Sequence, residues 1–205
     1  MKTAPVAVFD SGVGGISVLR ELVRLMPGEN YLYFGDSANA PYGKRSTEEV
    51  RQLTMDAADM LLQRGCKALV IACNTATAAA INDLRAAHPD TVIIGIEPAL
   101  KVAADRFPGG NIGVMATPVT LREEKFHNQL ERFPGVTVHP FAVADLVELI
   151  EGGHTNDEAV EALLSPVLSP YAGKLDAVVL GCTHFPFAAN TIRKLLGGNT
   201  AVLDG

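Results

Sequence analysis

The sequence predicts an α/β protein made of two pseudo-symmetric βα lobes, each with a mainly parallel sheet flanked by helices. Three observations carry that expectation. Short apolar runs alternate with helical patterns along all 205 residues. The runs are continuously rich in Val, Ile and Leu, as strands covered on both faces are. The residues closing the runs also recur at a nearly constant offset: Asp10 to Thr117 is 107 residues, Asp36 to Ala142 is 106, Cys73 to Cys182 is 109 and Glu97 to Asp204 is 107. The repeat divides the chain into lobes at 1–97 and 98–205. Eight strands also admit a (β/α)8 barrel, for which this chain is at the short limit and lacks a last helix.

Taken in order, the first strand is PVAVFD at 5–10, and the glycine-rich DSGVGGIS at 10–17 leads into a helix through VLRELVRLM. YLYFGD at 31–36 is the second strand. NAPYGKRS at 39–46 follows it, with Pro41 and Gly43 marking a turn. Ser46 and Glu49 form a capping-box pattern ahead of Val50, Leu53, Ala57 and Leu61, and Gly65 can close that helix. KALVIA at 67–72 and TVIIGIE at 91–97 are strands on either side of the helical TATAAAINDLRAAH. In the second half the strands are NIGVMA at 111–116, VTVHPFA at 136–142, DAVVLG at 176–181 and AVLD at 201–204. Thr117 is an N-cap with Pro118 in the first helical position. Thr155 and Glu158 repeat the capping pattern, and Pro166 and Pro170 should end that helix near 165. FPFAANTIRKLL forms the last helix.

The composition is globular: 48% hydrophobic and 20% charged residues suffice for a buried core. A net charge of −6, with no Lys/Arg run longer than two, argues against a nucleic-acid partner. Three cysteines make no disulfide framework. Asp10 comes too early for a signal-peptide core, and no apolar run is long enough to span a bilayer. The expectation is a cytoplasmic protein of a reducing compartment.

Polar residues gather where parallel strands end, which is where ligands bind in such sheets. They are Asp10-Ser11, Asp36-Ser37, Cys73-Asn74-Thr75, Thr117 and Cys182-Thr183-His184. Each of Cys73 and Cys182 follows a buried strand and precedes a helix. Helix N-termini carry unpaired N–H groups and positive partial charge, which lower a thiol's pKa and can hold a carboxylate. One such cysteine would read as a small buried hydrophobe; two in phase point to chemistry. Cys66 keeps the packing reading. No Cys-x-x-Cys or zinc spacing is present, so neither redox chemistry nor a metal is implied. A protease-like Cys182–His184 pair would leave Cys73 without a role. Gly12, Gly14 and Gly15 match neither G-x-G-x-x-G nor Walker A; they allow backbone N–H groups to approach a small anion, with Asp10 aimed into the site.

DSGVGG at 10–15, PYG at 41–43, ACNTATA at 72–78 and GCTHFP at 181–186, in this order across essentially the whole chain, resemble the glutamate racemase family. The resemblance implies two pseudo-symmetric α/β lobes with the active site in the cleft between them. It also implies cofactor-independent interconversion of L- and D-glutamate, supplying D-glutamate for bacterial peptidoglycan, and a homodimer. Two acid–base groups must then flank the α-carbon, one thiolate and one thiol. By resemblance, Cys73 deprotonates D-glutamate and Cys182 L-glutamate. Asp10 and Ser11 contact substrate and assist Cys73. Pro41, Tyr42 and Gly43, together with Asn74, Thr75 and Thr183, hold the carboxylates and ammonium group. His184 stands beside Cys182 with Glu151, and Thr117 and Thr120 add substrate contacts. Glu123 and Phe126 depart from the small hydroxyl and tyrosine expected there. Family members also continue past VLDG with a segment that covers the first lobe. The rival readings are a racemase for another acidic amino acid such as aspartate, which GCTHFP disfavours, and a non-catalytic carboxylate-binding protein.

Overall fold

The computed structural model describes residues 3–204. It contains two four-stranded parallel sheets of the same topology. In the first lobe β1 (Val6–Asp10), β2 (Tyr31–Gly35), β3 (Ala68–Ile71) and β4 (Val92–Gly95) lie in the order β2-β1-β3-β4. In the second, β5 (Asn111–Ala116), β6 (Thr137–Ala142), β7 (Ala177–Leu180) and β8 (Ala201–Asp204) lie in the order β6-β5-β7-β8. Each strand thus occupies the place of its counterpart four strands earlier, which is the physical content of the constant offset. Two open sheets replace the barrel alternative.

The apolar runs behave as two-sided strands. In the first sheet Ala7, Phe9, Leu69 and Ile71 pack against α2 (Thr47–Gln63) and α3 (Asn74–Ala87). Val6, Val8, Val70 and Ala72 face α1 (Ile16–Leu25) through Val18, Leu19 and Leu22. In the second, Met115, Val178 and Leu180 meet α7 (Asp145–Glu151), α8 (Glu158–Leu168) and α9 (Ala189–Leu196). Ile112, Val114, Ala177 and Val179 meet α4 (Leu100–Arg106) and α6 (Glu124–Glu131) on the other face. Each buried Val, Leu or Ile side chain contributes about 1.5–3 kcal/mol, so these four clusters fix the strand ends against one another. The first lobe is less completely covered. Val92 and Ile94 on β4 are 60% and 53% exposed, and Ile16, Val23 and Leu25 on α1 are exposed as well.

The capping box at Ser46 and Glu49 is formed, and Gly65 takes φ +80° just past α2. Thr117 caps α5 (Pro118–Arg122) with Pro118 at its start. Two local expectations are corrected. The N-cap of α8 is Asp157, whose carboxylate accepts from the Val160 N–H, in place of Thr155. The same helix runs through Pro166 to Leu168. The proline forgoes one backbone bond, while Val160, Leu164 and Leu168, all fully buried, carry the helix past it. Among the described residues no helix is long and apolar enough to cross a membrane.

Candidate active site

The two lobes turn the C-terminal ends of their strands toward each other, and side chains from those ends bond across the gap. Asp10, fully buried at the end of β1, accepts from the Thr183 hydroxyl at 2.9 Å and from the Gly12 N–H at 2.9 Å. Thr75 at the start of α3 bonds Thr117 at 2.9 Å, and Thr117 bonds Thr120 at 3.1 Å. Glu151, closing α7, accepts from the Val13 N–H at 2.7 Å and pairs with His184 Nε2 at 2.6 Å. Its other oxygen takes the Ser37 hydroxyl at 3.4 Å.

These contacts explain the glycines of DSGVGG. A Cβ on Gly12 would stand 1.8 Å from Glu151 Oε1, and one on Gly14 would stand 2.5 Å from both His184 Nδ1 and Thr183 Oγ1. A side chain at Gly12 would displace the Glu151 carboxylate and one at Gly14 would displace Thr183 and His184, so the glycines let this loop approach the second lobe.

Cys73 and Cys182 are both buried, 3% and 6% exposed, at equivalent strand ends. Cys73 is the N-cap of α3: its sulfur accepts from the Ala76 N–H at 3.4 Å and its thiol donates to Ser11 Oγ at 3.5 Å. Cys182 stands 3.8 Å from His184 Nδ1. A 3-10 turn, Phe185–Ala188, with Pro186 in its first positions, separates it from α9. The direct helix start expected after Cys182 is therefore not formed. Instead the Cys182 half is built from a chain of side chains, Cys182–His184–Glu151, and the Cys73 half from a helix end and a serine.

The expected direction of the thiol pKa is reversed. Burial pushes Cys73 up to about 11, with the nearby Asp10 carboxylate adding to it. Burial likewise pushes Cys182 up, and Cys73 adds to that, which places the two sulfurs within electrostatic reach of each other. Hydrogen bonds from Ser11 and Ala76 pull Cys73 down but do not win. Burial also raises Asp10, against the opposing pull of His184 and the bonds from Gly12 and Thr183. Burial thus favours the protonated form of both thiols.

A stability consequence follows for Cys73. Below the unfolded thiol's pKa, near 9, both states are protonated and nothing is lost. Above it the unfolded thiol ionises first, so stability falls by about 1.4 kcal/mol per pH unit. The loss continues until pH reaches the folded value of about 11. Denaturant melts between those limits are expected to be measurably flatter with pH in Cys73→Ser than in the unaltered protein.

The remaining candidates form the rim. Tyr42 is buried, its hydroxyl donating to Asp36 at 2.8 Å, and Asn39 donates to the same carboxylate at 3.0 Å and 3.1 Å. This folds the Pro41-Tyr42-Gly43 turn onto the second lobe, where a Cβ on Gly43 would meet Thr117 at 2.6 Å. Asn74 reaches the Ile96 carbonyl at 3.5 Å. Glu123 accepts from Thr47 across the lobes at 2.8 Å, and Phe126 is buried beside Thr120, Asn74 and Gln129. Two residues that sequence reading passed over also bridge the lobes or support the loop. Lys44 pairs with Asp145 and Glu148 of α7, both at 2.7 Å. Tyr33 donates to the Gly12 carbonyl at 2.5 Å.

Residues 8–205 match the family model for Asp/Glu/hydantoin racemase. The chain is 52% identical over 203 residues to a glutamate racemase of Clostridium kluyveri, covering 98% of this chain and 79% of that relative. Among solved structures it resembles glutamate racemase from Francisella tularensis in complex with D-glutamate, with TM-score 0.86 and 30% identity over all of this chain and 77% of the other. Escherichia coli glutamate racemase, in complex with L-glutamate and the activator UDP-MurNAc-ala, gives TM-score 0.87 and 32% identity, covering 98% of this chain and 77% of the other.

Proposed function

We propose that this chain, which belongs to the Asp/Glu/hydantoin racemase family, is a glutamate racemase that works by two bases, Cys73 and Cys182, without a cofactor. What carries the proposal is the pair of buried cysteines at equivalent strand ends of two lobes bonded to each other through Asp10–Thr183 and Thr75–Thr117. In the direction from L-glutamate, the Cys182 thiolate takes the α-proton. The C–H bond breaks, its electron pair passes into the α-carboxylate, and the Cys73 thiol returns a proton to the opposite face. Cys182 ends as thiol and Cys73 as thiolate; from D-glutamate the roles exchange.

Raised thiol pKa values suit this scheme, because a weakly acidic thiol is a strong base once ionised. The substrate's ammonium group, drawn to the buried Asp10 carboxylate, would supply the positive charge that favours thiolate. Backbone N–H groups around Asn74, Thr75 and Thr183 would receive the charge developing on the α-carboxylate. Ser11, Pro41, Tyr42, Gly43, Thr117 and Thr120 would shape the pocket. The division into 1–97 and 98–205 fits the same scheme, since β4 ends at Gly95 and α4 begins at Leu100. A cytoplasmic location, a homodimer and a supply of D-glutamate to peptidoglycan belong to the same reading.

The test is solvent-deuterium incorporation at the α-carbon, followed by NMR with both enantiomers of glutamate and of aspartate. Exchange with inversion for glutamate, and far slower exchange for aspartate, is the expected result. Glutamate binding with no exchange would mean a carboxylate-binding protein, and faster aspartate exchange would mean a different substrate.

A further inference from the structure

We propose that Tyr33 is a positioning residue for the Cys182 half of the reaction, acting across the lobes through the Gly12–Val13 peptide and Glu151. This rests on the assignment of Cys182 as the base toward L-glutamate. A single planar peptide unit links Gly12 and Val13, so its carbonyl and N–H point in opposite directions and turn together. The Tyr33 hydroxyl holds the carbonyl end at 2.5 Å, and Glu151 Oε1 takes the N–H end at 2.7 Å. The same carboxylate oxygen bonds His184 Nε2 at 2.6 Å, and His184 Nδ1 faces Cys182 Sγ at 3.8 Å.

Tyr33 therefore sets the plane that fixes the carboxylate, the carboxylate fixes the imidazole, and the imidazole addresses the sulfur. The loop also lies close against the sheet here, and its Gly12 N–H is held by Asp10 at 2.9 Å. A Cβ on Gly15 would lie 3.1 Å from the Tyr33 hydroxyl, and one on Gly35 would lie 2.6 Å from the Gly12 carbonyl oxygen. The pairing of Tyr33 with Val8 in the β1–β2 ladder anchors the ring in the sheet itself. Burial, with Asp10 and Glu151 nearby, pushes the phenol far above its ordinary pKa, so it remains a donor. On the other half, Cys73 bonds Ser11 and Ala76, and the Tyr33 chain does not pass through either.

Tyr33→Phe removes one hydroxyl and keeps the ring. Because interconverting enantiomers have equal free energies, kcat/KM must fall equally in both directions, by about tenfold for a loss near 1.4 kcal/mol. The diagnostic is the primary isotope effect on kcat/KM with α-deuterated L- and D-glutamate. When the Cys182 transfer becomes more rate-limiting, the effect from L-glutamate rises relative to that from D-glutamate. A general loosening of the fold lowers kcat/KM and leaves that ratio alone.

Two reference variants separate the layers. Glu151→Gln is expected to move the ratio as Tyr33→Phe does, and Ser11→Ala to move it the other way. If both references move as stated and Tyr33→Phe leaves the ratio unchanged, the Tyr33 role is wrong and the two-thiol reading stands. If Glu151→Gln leaves the ratio unchanged, the relay through Glu151 is wrong and the Tyr33 role falls with it; if Cys73→Ala and Cys182→Ala both leave exchange unaltered, the two-thiol reading itself fails.

Discussion

Cys73→Ala and Cys182→Ala are each expected to lower racemisation by about 10²–10⁴-fold, the usual worth of a positioned acid or base. Their remaining chemistry should be opposite. With Cys182 absent, Cys73 can still remove and return a proton on the face it addresses, so D-glutamate keeps exchanging its α-hydrogen with solvent while L-glutamate does not. With Cys73 absent, L-glutamate is the one that exchanges. NMR loss of the α-proton signal in deuterated buffer reads both cases directly. Cys66→Ala is the comparator: this half-buried thiol packs against the first-lobe core and bonds to nothing in the site, so turnover is expected to persist. Wild-type exchange from both enantiomers in both alanine variants would remove the two sulfurs from the mechanism.

Much of this was legible along the chain, and the reason is local. A parallel strand buried on both faces needs a continuous apolar run, so all eight strands of the described residues could be placed to within about two residues. The β1–β4 and β5–β8 repeat was visible because equal units give equal offsets. A capping box is likewise a four-residue affair, as Ser46 and Glu49 demonstrate. Thr155 misled because the helix starts two residues later, where Asp157 accepts from the Val160 N–H.

What could not be read depends on approach between distant residues. Cys73 and Cys182 looked like thiols acidified by helix ends. The direction of their shift is set by how completely two lobes exclude water, a property no window of sequence contains. Tyr33 looked like an ordinary strand aromatic beside Tyr31, which uses its own hydroxyl on the Leu22 and Met26 carbonyls of the α1 end. Only folding reveals that Tyr33 reaches the glycine loop. Lys44 read as part of a turn, and its partners Asp145 and Glu148 lie a hundred residues away.

Asp10→Asn is expected to cost about 10²–10³-fold in turnover, the scale of one preorganised charge at a reacting centre, and to make Cys73 more acidic while doing so. The combination is unusual and comes from the geometry. Asp10 is fully buried, with one oxygen on the Gly12 N–H and the other on the Thr183 hydroxyl. An asparagine fits that space: its oxygen can keep the Gly12 bond and its amide can donate to Thr183, whose hydroxyl is free to turn and accept. The fold is thus preserved and mainly the charge is lost. That charge is one of the causes holding Cys73 near 11, so its removal lowers the thiol pKa. The same charge is what would draw the substrate's ammonium group, and with it the α-carbon, into place between the thiols, so its removal slows proton transfer. A pH titration of ultraviolet thiolate absorbance, in a background with Cys66 and Cys182 replaced by alanine, measures the first effect; steady-state racemisation in the otherwise unaltered chain measures the second. Slower turnover with an unmoved or higher Cys73 pKa would mean that Asp10 does not act on the thiol electrostatically, and unchanged turnover would remove it from the catalytic machinery.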